Sequence, residues 1–512
     1  MFDQSFSSKT FQEIFDKENR KGKNIEKRFK NDFVESLETL KKIKNLSLDI
    51  RAETNSNTKK ALYKERKDLK KMRDKQISSI LEKTAEKLSS RKTVVEITEG
   101  ENFGGQSYQF EENIENYFLS KKIQNNISEF YKVKQSNRHS ILSELINQLE
   151  DKFPKYVVRT DIKSFYESIP QKKLLDKMDD DYLLSILTKK YITETFASYR
   201  ELTLQTDIET AKGIPRGIGF SAYLSELFMR KIDNQIKALD DLVYYARYVD
   251  DIIAIFIPVS TSIDKNYLKQ YKIQIEEIIV NQGLSLNTEK TNEFNLLNGI
   301  GVLEYERQIF LNGKFKKIQE NEGVEKINFL GYRIGTVLEI NKIKNKNSVK
   351  ESKQQNLIIE LSENKINKYK DKIKLAFKEF SIKSLHNKKL AFKLLNSRVQ
   401  YLTSNTKLRN NKDKVFVGIY YSNLFLNGKK SLETIQRNLN WHIVRANINN
   451  DEKEILKKHN FLDGFEHRKF NILPLVNRKY KNHNCKMTDV RNRRNNGIIQ
   501  FGLTEINSIW RK

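Results

Sequence analysis

LVYYARYVDDIIAIFI, residues 242–257, decides the fold. Aliphatic, aromatic and β-branched residues fill both of its flanks, the composition of strands. Tyr248-Val249-Asp250-Asp251 lies between those flanks, so the stretch reads as a hairpin with Asp250 and Asp251 at its tip. No lysine stands close by to neutralise them. Desolvating adjacent carboxylates is costly, so a fold that sets them between apolar strands needs a cation or water there. Magnesium is the hard, oxygen-seeking ion that suits such a place. The competing reading is an ordinary turn, because Asp is a common turn former.

The surrounding segments decide between the two. Upstream, VVRTDIKSFYESIP (157–170) carries Asp161 at the end of a short apolar strand, followed by Phe165 and Tyr166. GIPRGIGFSAYLSEL (213–227) is a glycine-punctuated loop running into a helix. Downstream, GLSLNTEKT (283–291) carries Lys290, and INFLGYRI (327–334) carries Phe329, Leu330 and Gly331. In this order and at these separations the segments resemble the successive palm motifs of reverse transcriptases, over roughly the middle half of the chain.

That resemblance implies an α+β fold, a right-hand polymerase palm and fingers with an antiparallel palm sheet. N-terminal helices (1–97) precede fingers and palm (98–345), and a thumb-like and C-terminal all-α domain (346–512) follows. It also implies the chemistry. A primer hydroxyl attacks the α-phosphate of a dNTP in line and expels pyrophosphate, and two divalent ions activate the one oxygen and screen the other. Asp161 and Asp250 are the expected bridging ligands of two Mg2+ ions, with Mn2+ as a substitute. Ile162 and Asp251 belong to the same metal set, Asp251 as the family's third acid, farther from the ions. Lys290 matches the lysine that protonates departing pyrophosphate, against an equally acceptable reading as a solvated surface lysine.

For nucleotide binding, Tyr166 matches the ring that excludes a ribose 2′-hydroxyl, against the alternative of a core aromatic at a strand-to-helix turn. Phe165 adjoins it. Arg138 leads the basic residues of YKVKQSNRHSIL (131–142), with Lys134 and Lys132, as grips for the triphosphate. Gly217 lets backbone approach the template base, and Ser221 corresponds to the family's serine in that loop. Arg216 departs from the pattern, since a glutamine is usual there; arginine can clamp phosphate or stack on a base. Arg247 and Tyr248 precede the aspartates in the form common among bacterial members. Phe329, Leu330 and Gly331 match the primer-grip hairpin, so these five are the expected primer and template contacts.

Composition agrees with a polyanionic partner. The 512-residue chain carries a formal net charge of +28, and it is long enough for two or three domains. Abundant lysine, asparagine and isoleucine fit AT-rich coding, which accounts for part of the basicity. The single cysteine, Cys485, excludes an internal disulfide and fits a reducing cytoplasm. No apolar run reaches the length of a membrane span, and the start lacks a signal peptide's order, so a cytoplasmic protein without membrane association is expected. His459, His467, His483 and Cys485 follow no zinc spacing.

Residues 1 to about 97 place apolar residues at helical spacing among charges, which reads as amphipathic helices packed on the next domain. EGENFGGQSYQF (99–110) marks a boundary or a fingers loop. Residues 171–212 read as a mostly helical insertion, whose acidic run 179–182 suits a helix N-terminus. LIIELSENKINKYKDKIKLAFKEF (357–380) reads as a long thumb helix, and RNRRNNG (491–497) as a phosphate contact or a basic tail.

YLTSNTKLRNNKDKVFVGIYYSN (401–423) resembles a segment of bacterial defence-associated, abortive-infection reverse transcriptases. That class implies cDNA synthesis on a noncoding RNA or with little template, sometimes started from a protein tyrosine, in antiphage defence. The 22 tyrosines offer many candidates. The large helical flanks are compatible with a homo-oligomer. Two rival readings stay open: an ordinary templated retroelement or retron-like enzyme, and an inactive scaffold that binds nucleic acid.

Overall fold

The computed structural model describes residues 2–90, 93–102, 104–151, 153–258, 266–296, 308–311, 314–317, 326–345, 348–408, 416–473, 478–480, 487–489 and 498–510. The chain divides into two compact units, Met1–Asn137 with Val157–Glu293, and Arg138–Tyr156 with Phe294–Lys512. These cut across the three regions expected from the sequence, because the N-terminal helices share a core with later helices of the first unit. Phe11 of the Ser8–Arg20 helix meets Phe118 of the Ile114–Tyr131 helix at 5.1 Å, and Phe6 meets Tyr191 at 5.3 Å. Composition reports what a helix shows to water, not which partner covers its apolar stripe.

The first unit is built round a four-stranded sheet. Its spatial order is Leu242–Tyr248, Asp251–Phe256, Tyr156–Asp161, Asn292–Asn295. Ile252, Ile253, Ala254, Ile255 and Phe256 are all fully buried, the unbroken apolar run of a strand covered on both faces. Tyr271 of the Asn266–Asn281 helix stacks on Phe256, with centroids 4.1 Å apart and planes at 8°. The Ser221–Lys237 helix adds Leu224, Leu227, Met229 and Ile232 to the core. The first two strands pair antiparallel as expected, Tyr248 opposite Asp251. Strands Ile97–Glu99 and Tyr108–Phe110 pair around the glycine-rich 99–110 segment.

The acidic run 179–182 is a correction. Asp179 and Asp180 close the Gln171–Asp180 helix at its C-terminus, the unfavourable end for negative charge, and Asp181 caps it. Lys189 at 2.7 Å from Asp179 and Lys177 at 2.9 Å from Asp181 offset this. The next helix, Ile186–Leu202, starts instead from Ser185, whose side chain accepts from the Thr188 amide.

The second unit also differs from expectation, since its C-terminal part is not all helix. Strand Ile327–Phe329 joins a hairpin of two 14-residue arms, Tyr332–Asn345 and Ser348–Leu361. LIIEL (357–361) therefore ends a strand, and the Glu363–Thr403 helix begins only after Ser362, with a break at Asn387. Short apolar runs do not distinguish strand from helix by periodicity, and here cross-strand pairing decides. Two further three-stranded sheets use strands of three or four residues, too short to show alternation. His483, Cys485 and residues 491–497 lie outside the described residues. Among the described residues no helix is long and apolar enough to cross a membrane.

Candidate active site

The first unit brings Asp161, Asp250 and Asp251 together at one end of its central strands. Asp161 ends the Tyr156–Asp161 strand, and the two others form the tip of the hairpin beside it. The Ile162 amide donates to the Asp250 carbonyl at 3.1 Å, which ties the two segments at the acids themselves. From the other side the Asn287 amide donates to the Asp161 carbonyl at 2.7 Å. Three segments distant in sequence are thus laced by backbone bonds, so the acids stand on rigid scaffold.

The tip is strained. Its two-residue loop is Val249-Asp250, and Val249 has φ +61°. A β-branched residue is rarely found there, and such strain costs about 1–3 kcal/mol and collects at functional sites. Arg247 secures it. Its guanidinium donates to the Val249 carbonyl at 2.8 Å, to Glu226 at 2.7 and 3.2 Å, and to Asp233 at 2.9 Å. Burial works against this charge, but Asp233 and Glu226 more than offset it and hold the pKa above arginine's ordinary value. With 5% exposure Arg247 faces inward, so the primer or template contact expected of it is not open to its side chain. Tyr248 is half-buried.

The three carboxylates differ in their partners. Asp161 is buried, and its Oδ1 accepts from Lys290 Nζ at 3.0 Å and from Asn287 Nδ2 at 3.4 Å. Asp251 gives both oxygens to Arg159, Oδ1 to Nε at 3.1 Å and Oδ2 to a terminal nitrogen at 3.3 Å. Burial pushes the Asp251 carboxyl above the usual range; Arg159 opposes this, and Asp161 and Asp250 add to it. Asp251 was expected among the metal ligands, and here an arginine occupies it. Arg159 was not singled out from sequence, although its place two residues before Asp161 puts both on the same sheet face.

Asp250 is the acid without a cation. Among the described residues no side chain hydrogen-bonds or ion-pairs with its carboxylate. Burial first, and the neighbouring Asp161 charge second, raise its pKa above the usual range, opposed by a hydrogen bond from its own backbone amide and by the Lys290 and Arg216 charges. Two converging carboxylates, one of them uncompensated, are a hard-oxygen donor set that suits Mg2+ or Mn2+. Asp161 and Asp250 would hold such ions, with the Ile162 carbonyl next to Asp161 as a further oxygen.

Tyr166 and Arg216 flank this end. Tyr166, on the short helix Phe165–Ser168, is half-buried, and burial leads the causes that raise its pKa. The Arg216 guanidinium lies 5.6 Å over its ring, pairs with Glu167 at 3.3 Å and donates to the Gly104 carbonyl at 3.4 Å. Gly217, at φ +100°, is required: a Cβ there would meet the Tyr108 carbonyl at 2.6 Å. Phe165 and Ser221 are only 2% and 1% exposed, so their side chains belong to the core and not to a ligand. Lys134 is exposed.

The remaining expected residues lie in the second unit. Phe329 pairs with Tyr332 across a two-residue turn, Leu330 at φ +44° and Gly331 at φ +80°. Positive φ at both positions is the tight hairpin turn for which glycine is favoured. Arg138 donates to the Leu330 carbonyl and lies 5.3 Å over the Tyr332 ring. Its observed partner is this turn, where a triphosphate grip had been expected. Lys365 covers the same ring at 4.8 Å, and burial, then Arg138 and Lys368, lower its pKa to about 8. Of the histidines considered for zinc, His459 hydrogen-bonds Asn396 at 2.7 Å.

No curated protein sequence matches the chain. Among solved structures it is similar to apo telomerase from Candida tropicalis, at 15% identity and a TM-score of 0.28 over 47% of this chain and 46% of that one. It is also similar to telomerase from Candida albicans in complex with a fragment of telomeric RNA, at 12% identity and a TM-score of 0.27 over 66% and 52%. A third is the BmCPV RNA-dependent RNA polymerase at elongation state, at 10% and 0.25 over 41% and 21%. The matched part is about half of either telomerase chain and about a fifth of the viral one. The family model for reverse transcriptase (RNA-dependent DNA polymerase) matches residues 107–334, a span that contains Asp161, Tyr166, Asp250, Asp251 and Lys290. Residues 107–334 are thus a reverse transcriptase domain, the RNA-directed DNA polymerase class of nucleotidyltransferase.

Proposed function

We propose that this chain is a DNA polymerase of reverse-transcriptase type that adds dNTPs to a primer hydroxyl, working in antiphage defence. The observation that carries the reading is the pair Asp161 and Asp250, laced side by side through Ile162, with Asp250 lacking any cation of its own. Asp161, Asp250 and the Ile162 carbonyl are the proposed ligands of divalent ions, which when bound stabilise charge on the reacting phosphate oxygens. Lys290, half-exposed and paired with Asp161, is the proposed proton donor for departing pyrophosphate. Tyr166 is the proposed ring that excludes a 2′-hydroxyl, and Arg216, 5.6 Å over that ring, is the proposed positive charge for a nucleotide phosphate. Lys134 adds charge for the same group; Tyr248 is a proposed primer contact, and the Phe329–Gly331 turn is proposed separately as another.

The template is a noncoding RNA or is largely dispensed with, and a tyrosine of the protein is a candidate primer. The defence assignment rests on the resemblance of residues 401–423 and on the long flanks around the matched domain. The protein works in the cytoplasm, as a monomer or a homo-oligomer. Purified protein given labelled dNTPs and Mg2+ is expected to incorporate them, and to stop on chelation or with Asp161→Asn. Sequencing the copurifying nucleic acid, and testing its covalent attachment to protein, separates a bound-RNA template from a protein primer. No incorporation under any metal would leave the scaffold reading standing.

The gate makes its own prediction. Tyr166→Ala is expected to raise ribonucleotide incorporation relative to deoxynucleotide by about 10-fold or more, the scale on which a pocket discriminates one small group. Competition assays with paired rNTP and dNTP measure it, and unchanged discrimination would remove Tyr166 from the sugar site.

A further inference from the structure

We propose that Arg159 is a positioning residue of the polymerase centre, and that Asp251 serves as its anchor and not as a metal ligand. The inference rests on the reading of Asp161 and Asp250 given above. Arg159 and Asp161 are two residues apart on one strand, so their side chains leave the same sheet face. Asp251 opens the adjacent strand.

The Arg159 fork meets both Asp251 oxygens, at 3.1 and 3.3 Å, a planar two-point contact that fixes orientation as well as distance. The two side chains are only 17% and 16% exposed, so water screens the pair weakly. This strut and the Ile162–Asp250 backbone bond fasten the same two strands on either side of the acid pair. Together they leave Asp250 little freedom to swing away from Asp161, although like charge pushes the two apart.

The distribution of partners separates the three acids. No side chain among the described residues pairs with the Asp250 carboxylate, and the ion pair and side-chain hydrogen bond of Asp161 both fall on its Oδ1. Each Asp251 oxygen already accepts from an Arg159 nitrogen. An ion that displaced Arg159 from Asp251, its one carboxylate partner among the described residues, would leave a mostly buried guanidinium unpaired. That exchange is strongly unfavourable. The arrangement therefore uses two acids for ions and the third to hold the frame.

The test is a double-mutant cycle on the full chain, read by Mn2+ binding calorimetry, thermal melting and steady-state kinetics. Arg159→Leu and Asp251→Asn are each expected to weaken Mn2+ binding by about 10-fold, the usual effect of losing a group that orients a ligand. Both should lower kcat while leaving the KM for dNTP near wild type. The double variant should be no worse than the weaker single, because one strut is lost in all three. Arg159→Lys, which keeps charge and fold, should recover part of the affinity. An Asp251→Asn loss far beyond that of Arg159→Leu, with additive effects in the double, would overturn the proposal, as would wild-type affinity and kcat in Arg159→Leu. Asp161→Asn runs alongside: retained Mn2+ binding there refutes the metal-site reading itself, whereas its loss beside an unaffected Arg159→Leu refutes only the strut.

Discussion

Asp250→Ala is expected to abolish nucleotide addition, by at least about a thousandfold or roughly 4 kcal/mol of barrier, while nucleic-acid binding stays near wild type. Among the described residues no side chain pairs with the Asp250 carboxylate, so its removal takes away a proposed ion ligand and breaks no side-chain contact. Filter binding and primer extension on one preparation separate the two effects, and extension at the wild-type rate would remove Asp250 from the centre. Asp250→Asn sharpens the argument, because folding currently places this carboxylate where burial and Asp161 disfavour its ionised form. The folded pKa lies above the unfolded one, so ionised Asp250 costs stability. That cost is absent below the ordinary aspartate range and complete above the raised value. The metal-free Asn variant should accordingly melt higher than wild type at neutral pH, and the difference should fade as pH falls toward the ordinary aspartate range. Inactivity paired with greater stability is what an uncompensated functional charge predicts.

The second large effect is structural. Arg247→Ala is expected to cost about 3–5 kcal/mol, the range for breaking a buried charge network by removing one partner. Glu226 and Asp233 would be left unpaired, the Tyr245 hydroxyl would keep only Asp233 at 2.6 Å, and the strained Val249 carbonyl would lose its donor. Arg247→Lys should recover part of this, since an ammonium cannot reproduce the fork that serves both acids. Urea unfolding of the three proteins measures it. A change below about 1 kcal/mol in Arg247→Ala, the scale of an exposed pair, would show that the tip does not depend on this arginine.

The centre was legible in sequence because catalysis and strand geometry demand local signatures. Asp250 and Asp251 sit between two apolar runs, Asp161 ends a third, and glycine at 217 answers a close backbone approach. What sequence did not reveal are the long-range partners. Arg159 is 92 residues from Asp251, and Arg247 lies 21 residues from Glu226, with no spacing rule to join them. A charged residue inside an apolar strand, as in VVRTD and YYARY, was the available signal, since such a charge needs a counter-charge. The acidic run 179–182 was misplaced because dipole preference is weak beside lysines one turn or one loop away. The C-terminal strands were missed because four-residue segments such as Asn405–Leu408 and Phe470–Leu473 are fixed by pairing with each other, 65 residues apart, and not by their own pattern.

Electron paramagnetic resonance of Mn2+ titrated into the purified protein tests the central claim most directly. Wild type should remove Mn2+ from the free signal at neutral pH, less so as acid protonates Asp250, and Asp161→Asn and Asp250→Asn should each lose that binding while remaining folded. Undiminished Mn2+ binding in both variants would contradict the account, because no joint site between Asp161 and Asp250 could then hold the ions.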